Sequence, residues 1–134
     1  LLDQQRERGF ATEQTILGGF SQGGLMTIDV GLRYPHLLAG LISISGYVFE
    51  PENLVQELSP VARQQPLLLT HGTVDPLIPI APVRQQIQIL KTAGLQIQWR
   101  EFEKAHTIAG EEELRLIRDF VIHAALPSKA YETI

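Results

Sequence analysis

The sequence predicts an α/β fold built on a parallel sheet, and three observations carry that reading. Short apolar runs recur along the chain, at Gln14–Phe20, Leu38–Gly46 and Pro66–Gly72, and an alternating apolar–polar run follows at Leu95–Phe102. Segments with apolar residues at helical spacing lie between them, and strands alternating with helices imply parallel strands joined by right-handed crossovers. Ser21, Tyr47, Asp75 and His106 each fall just past a predicted strand end, where chemistry collects in open α/β sheets.

The elements follow in order. Residues 1–8 mix polar and apolar side chains ahead of Gly9, a helix stop, and read as the tail of a helix. "QTILGGF", Gln14–Phe20, reads as a buried strand. From Gln22 to Tyr34, Leu25, Ile28 and Leu32 recur at helical spacing, and Pro35 closes the segment. "LAGLISISG", Leu38–Gly46, reads as a strand buried on both faces, and Glu50–Pro66 reads as turns. "PLLLTHG", Pro66–Gly72, is a third buried strand, with "TVDPLIP" a loop after it. Val83, Ile87 and Leu90 mark a helix stopped by Gly94. In "LQIQWREF", Leu95, Ile97 and Trp99 alternate with Gln96, Gln98 and Arg100, the pattern of a half-exposed strand near a sheet edge. Leu114, Ile117 and Val121 mark a last helix, whose first turn carries Glu111, Glu112 and Glu113 as a complement to the helix dipole.

Composition narrows the function. The 134 residues suit a single domain with a real core, spanning 1–134. A hydrophobic fraction of 44% and a charged fraction of 19% are those of a globular chain. The net charge of −4 without a basic block argues against nucleic acid or an anionic membrane as main partner. No apolar run approaches a spanning helix, and a cytoplasmic location is the expectation. The chain opens "LLDQQRERGF" without an initiator Met or a targeting segment, and reads as the start of a chain from which something has been removed or is missing. With no cysteine, disulfides and thiolate metal sites are excluded. His36, His71, His106 and His123 show no paired zinc spacing, so neither metal nor cofactor is expected.

The chemistry centres on "ILGGFSQGGLM", Ile16–Met26. A flexible linker would not be bounded by an apolar strand and an amphipathic helix. A phosphate-binding loop needs Lys and then Ser or Thr after its last glycine, where this chain has Gly24 and Leu25. The third reading is a nucleophile elbow, G-x-S-x-G, as Gly19-Phe20-Ser21-Gln22-Gly23. A sharp strand-to-helix turn presents the Ser21 hydroxyl, and close passage of the backbone is expected to keep Gly19 and Gly23 free of side chains. A serine hydroxyl needs a base, and the base an orienting acid, here in the chain order serine, acid, histidine. His106, in the loop "KAHTIAG", fits the base, whereas His123 lies inside the last helix and His36 in a surface loop. Asp75 fits the acid: it follows a strand and precedes Pro76, which favours extended backbone. Glu50 is its rival; Asp29 and Asp119 are misplaced, and His71 reads as structural.

These residues together, "GFSQGG", "LAGLISISGY", "HGTVDPLIP" and the isolated "AHT", resemble the phospholipase/carboxylesterase family of α/β-hydrolases, to which acyl-protein thioesterases belong. The resemblance runs through essentially the whole chain. It implies a three-layer α/β-hydrolase fold with Ser21, Asp75 and His106 as catalytic triad and the Gln22 N–H as an oxyanion donor. Lys104-Ala105 ahead of the histidine departs from the family's usual glycine. The family also places several strands, and a glycine-rich loop giving a second oxyanion donor, ahead of the nucleophile strand, so the resemblance covers the carboxyl-terminal part of the fold. Losing one such donor costs about 2.7–4 kcal/mol of transition-state stabilisation. The strand 14–20 then becomes a naked apolar edge, expected to pair with a missing amino-terminal segment or with a second copy.

The function expected is therefore a serine hydrolase acting on a small-molecule ester or an acylated substrate, carboxylic ester or thioester, through an acyl-enzyme. Phe20, Tyr47, Val48, Leu77, Ile78 and Ile108 follow strand ends or flank the motifs and are candidates for an acyl pocket. Two rivals stand beside this reading: a truncated remnant or scaffold piece with impaired catalysis, and a peptidase of the same fold.

Overall fold

Parallel strands need long crossovers, and here each one carries a helix. The computed structural model describes residues 1–125, so 126–134 of the expected single domain lie outside it. In chain order come α1 (Leu2–Glu7), β1 (Ile16–Phe20), α2 (Gln22–Gly31), β2 (Gly40–Ile44), α3 (Pro51–Gln56), β3 (Leu67–Gly72), α4 (Ile80–Thr92), β4 (Ile97–Phe102) and α5 (Glu111–Ala125). The strands form one parallel sheet in the order β1-β2-β3-β4. In register, Leu17 lies beside Leu41, Leu41 beside Leu67, and Leu67 beside Ile97.

Two glycines reveal the layers. A β-carbon on Gly31 of α2 would run into the side chain of Leu41, and one on Gly40 would run into the Phe120 ring of α5. Residues 40 and 41 are neighbours on β2 and point to opposite faces, so α2 and α5 cover opposite faces of the sheet. The α2 face holds the main core: Leu41, Leu67 and Leu69 pack with Ile28 of α2, Leu32 just after it, and Val83, Ile87 and Leu90 of α4. Leu41 and Leu67 are at most 1% exposed, so burial of each stabilises the fold by about 1.5–3 kcal/mol. The result is the helix–sheet–helix sandwich expected of an α/β-hydrolase.

The structure corrects several sequence expectations. β1 starts at Ile16, because Thr12–Gln14 turn into a short 3-10 helix. It is half-exposed rather than buried, since it stands at the edge of the sheet among the described residues. The region Glu50–Pro66 is not all turn: α3 begins at Pro51, whose fixed φ and missing N–H suit a first helical position. On α5, Glu113 is fully buried while Leu114 is 52% exposed, so the last helix faces the sheet in a rotation the apolar spacing does not give. Ile117 and Val121 are only half-buried.

Among the described residues, no helix is long and apolar enough to cross a membrane. A cleft of about 450 Å³ runs beside β1, lined by Leu1, Leu2, Leu17, Met26, Val30 and Tyr34 among others. It includes none of Ser21, Asp75 and His106.

At the other edge, Arg84 of α4 makes a two-pronged contact to the Glu101 carboxylate of β4, at 2.9 and 2.7 Å, and Trp99 Nε1 donates to the same group at 2.9 Å. The Arg84 hydrogen bonds hold the Glu101 carboxyl at about 2, below its ordinary 4.5, although partial burial pushes the other way. A carboxylate depressed on folding stabilises the fold above its unfolded pKa and loses that contribution as pH falls through the folded one. Arg84→Gln is therefore expected to lower stability modestly at pH 7, the pair being half-exposed. The gap from the unaltered protein should close as pH falls from 4.5 toward 2. Urea unfolding across that range checks it; a gap independent of pH contradicts the assignment.

Candidate active site

The site grows from the turn between β1 and α2. Ser21 has φ 59° and ψ −118°, a conformation that L-residues rarely adopt. Its N–H donates to the Ile44 carbonyl at 2.8 Å, extending the β1–β2 ladder by one residue before the chain breaks into helix. The turn is so tight that a β-carbon on Gly19 would collide with the carbonyl group of Gly23. The expectation for Gly23 needs correction, because a β-carbon there would meet open space. What crowds Gly19 is Gly23's backbone, and the second position closed to a side chain is Gly24, packed against Ser43 and Gly46.

Ser21 occupies the position before α2 but makes no capping hydrogen bond with its side chain. Its hydroxyl lies instead 2.8 Å from Nε2 of His106. The first bond of the helix runs from the Leu25 N–H to the Ser21 carbonyl, so the N–H of Gln22 precedes the helical ladder. That leaves it at the positive end of the helix beside the Ser21 side chain.

Asp75 follows β3 and is held by its own loop. Its Oδ1 accepts the N–H groups of Leu77 and Ile78, each at 2.9 Å, and Oδ2 lies 2.7 Å from His106 Nδ1. Burial alone would raise this carboxyl, yet the Ile78 N–H, His106 and the Leu77 N–H together hold it below the ordinary aspartate range. An ionised carboxylate can only accept. The proton on His106 therefore sits on Nδ1, and Nε2 presents a lone pair to the Ser21 hydroxyl. Ser21, His106 and Asp75, far apart in sequence, thus form one directed hydrogen-bond chain. That arrangement can move a proton off the hydroxyl and stabilise the imidazolium that results.

The other candidates fall into place around this chain. Glu50, the rival acid, is exposed at the start of α3 in a left-handed conformation. Asp29 pairs with Arg33 on α2, and Asp119 is exposed on α5. Tyr47, Leu77 and Ile78 join Ser21, Gln22, Pro79, Pro82, Val83 and Gln86 around an open cavity of about 520 Å³. Phe20 and Ile108 are not part of that lining. Phe20 lies against the His106 ring, centroids 5.0 Å apart, and Ile108 is 42% exposed. Val48 is buried in the core, not free in the cavity, and its N–H is held by Gln86 of α4 at 2.8 Å. Among the described residues no group of three or more His, Asp or Glu is placed to hold a metal ion.

Sequence reading missed the residues that support the site. Ser45, fully buried with φ 54°, donates its hydroxyl to the Thr107 carbonyl at 3.2 Å. His71, which the sequence does read as structural though without its partner, is fully buried in β3, donates from Nε2 to the Ile78 carbonyl at 2.8 Å and so braces the loop that holds Asp75. Trp99 stacks on its other side. Lys104, in the loop that carries His106, forms a buried ion pair with Glu113 of α5. A lysine two residues before a candidate base and an acid seven after it do not by themselves mark such a pair, and Glu113 reads from the sequence only as a complement to the helix dipole.

The chain matches known proteins along most of its length. A family model described as phospholipase/carboxylesterase matches residues 1–124. Acyl-protein thioesterase 1 of Gibberella zeae is 30% identical over 131 residues, covering 96% of this chain and 55% of that protein. Acyl-protein thioesterase 1 of Schizosaccharomyces pombe is 31% identical over 120 residues, covering 88% and 54%. The crystal structure of Arabidopsis thaliana SOBER1, a protein named as a carboxylesterase, superposes with a TM-score of 0.86 at 28% identity, over 93% of this chain and 60% of that one. The chain thus spans about half the length of the curated relatives it matches. With the α/β-hydrolase sheet, the serine turn and a match along nearly its whole length, this chain belongs to the phospholipase/carboxylesterase family.

Proposed function

We propose that the protein is a serine hydrolase of carboxylic esters or thioesters, with Ser21 as nucleophile, His106 as general base and acid, and Asp75 as orienting acid. The observation that carries this reading is the unbroken chain from Ser21 Oγ to His106 to Asp75, at 2.8 and 2.7 Å. Relatives named acyl-protein thioesterase and carboxylesterase support the substrate class.

In this mechanism His106 Nε2 takes the Ser21 proton as Oγ attacks the acyl carbonyl. The carbonyl oxygen becomes an oxyanion, toward which the Gln22 N–H donates. His106 then protonates the leaving alcohol or thiol as the carbon–oxygen or carbon–sulfur bond breaks, leaving the acyl group on Ser21. Water enters, His106 removes its proton, and the acid is released with Ser21 restored. Asp75, held ionised below the usual carboxyl range, keeps the Nδ1 proton facing it through both steps. The cavity bounded by Tyr47, Leu77 and Ile78 receives the acyl chain. Phe20 packs against the ring of the base.

The free edge of β1 belongs to the same proposal. Ile16 and Leu17 are half-exposed and Phe20 is 42% exposed, a surface suited to a further segment or a second copy.

Two experiments test these assignments. The chain should turn over p-nitrophenyl esters or acyl thioesters faster than it cleaves a matched peptide amide. Ser21→Ala should reduce that turnover to background, and Asp75→Asn should lower kcat by about 10⁴-fold with little change in KM. Wild-type turnover in Ser21→Ala sinks the assignment, and faster amide cleavage favours the peptidase. For the edge, sedimentation of the 134-residue chain is expected to show association as concentration rises; a folded monomer throughout contradicts it.

A further inference from the structure

Between β4 and α5 the chain buries a full ion pair that the reaction above does not use. Lys104 is 5% exposed and Glu113 fully buried. Lys104 Nζ donates to both oxygens of the Glu113 carboxylate, at 2.8 and 2.7 Å, and Oε1 of the same carboxylate accepts the Ala109 N–H at 2.6 Å. Residues 104–109 therefore form a loop closed at both ends on a single carboxylate, and His106 is inside it. The loop is also pressed onto the sheet. A β-carbon on Gly72 would strike the Lys104 carbonyl, which accepts the Val74 N–H at 3.2 Å, and Ser45 holds the Thr107 carbonyl.

Two buried charges give no clear stability advantage over a packed apolar pair, whereas removing one strands the other. What the carboxylate adds is direction: three hydrogen bonds from two donors converge on it, two from Lys104 Nζ at the loop's first residue and one from the Ala109 N–H at its last, and together they admit one loop path. We propose that Glu113 is a positioning residue, which through Lys104 and the Ala109 N–H fixes where His106 stands relative to Ser21. The proposal rests on the serine-hydrolase reading for its catalytic consequence, but its geometric part is independent of it. The acyl substrate never touches Glu113; a displaced imidazole is how its loss is felt, and misplacement by about 1 Å can cost about 10²-fold in rate.

The test uses the full chain and three variants. Glu113→Leu removes both anchors, Lys104→Met/Glu113→Leu removes both charges together, and Glu113→Gln keeps an acceptor for Ala109. Ester turnover is measured alongside urea unfolding and the Nδ1–H proton resonance of nitrogen-15-labelled His106. The double variant is expected to regain the stability lost in Glu113→Leu, because no charge is left stranded. Its kcat should nevertheless stay down by about 10²-fold, KM little changed, with the His106 resonance shifted or broadened. Glu113→Gln should retain more kcat than the double variant and a His106 resonance nearer the unaltered one. A double variant with wild-type kcat and an unaltered His106 resonance overturns the proposal, leaving the pair a packing element only. If the unaltered chain hydrolyses nothing while the His106 resonance still depends on Glu113, the hydrolase reading fails and the positioning role stands.

Discussion

The site depends first on one strained residue. Ser21 sits at φ 59°, a backbone state that costs of order 1–3 kcal/mol and persists only where the surroundings over-determine it. Here they do. Its N–H is tied to the Ile44 carbonyl on one side and its carbonyl to the Leu25 N–H on the other. Gly19 allows the chain to double back against the Gly23 carbonyl. Relaxing that turn would withdraw the hydroxyl from His106, so the glycines and the reactive geometry are one feature.

The parallel sheet supplies the remaining alignment. Each strand end is tied to the next: Ser21 N–H to Ile44, Ser45 N–H to Thr70, Thr73 N–H to Phe102. The residues that leave those ends arrive level with one another above the sheet, which is why side chains 31 and 85 positions apart in sequence meet. Buried polar groups then fix each loop. His71 braces the Asp75 loop through the Ile78 carbonyl, Gln86 holds Val48, and Ser45 with the Lys104–Glu113 pair holds the His106 loop. The strand order does the coarse work and these few hydrogen bonds do the fine work.

Much of this was legible in the residues. Apolar runs and helical spacing gave the four strands and the helices after β1, β3 and β4, but not α3, because burial on both faces of a parallel sheet leaves a plain signature in composition whereas a short helix in a turn-rich stretch does not. The Ser21, Asp75 and His106 trio followed from motif and chain order, since a turn that tight tolerates few residues. The rotation of α5 was not legible. Glu113 in a first helical turn looks like a solvent-facing complement to the helix dipole, and only the position of Lys104 in space makes it a buried partner. Ser45 was hidden for a similar reason, being an ordinary serine at a strand end until the His106 loop crosses it. The cavity lining was legible only in part, because whether Phe20 faces a substrate or an imidazole is decided by the turn and not by its hydrophobicity.

On the proposed reading, the hydrogen-bond chain from Asp75 through His106 makes the Ser21 hydroxyl an activated nucleophile. Treating the chain with a fluorophosphonate, then weighing the intact protein and mapping the labelled peptide, tests this without a choice of substrate. One phosphonyl group is expected, placed on Ser21, and none when His106→Ala removes the base. A folded, unaltered chain that stays unlabelled at Ser21 would contradict it, and the turn would then keep its shape without the chemistry.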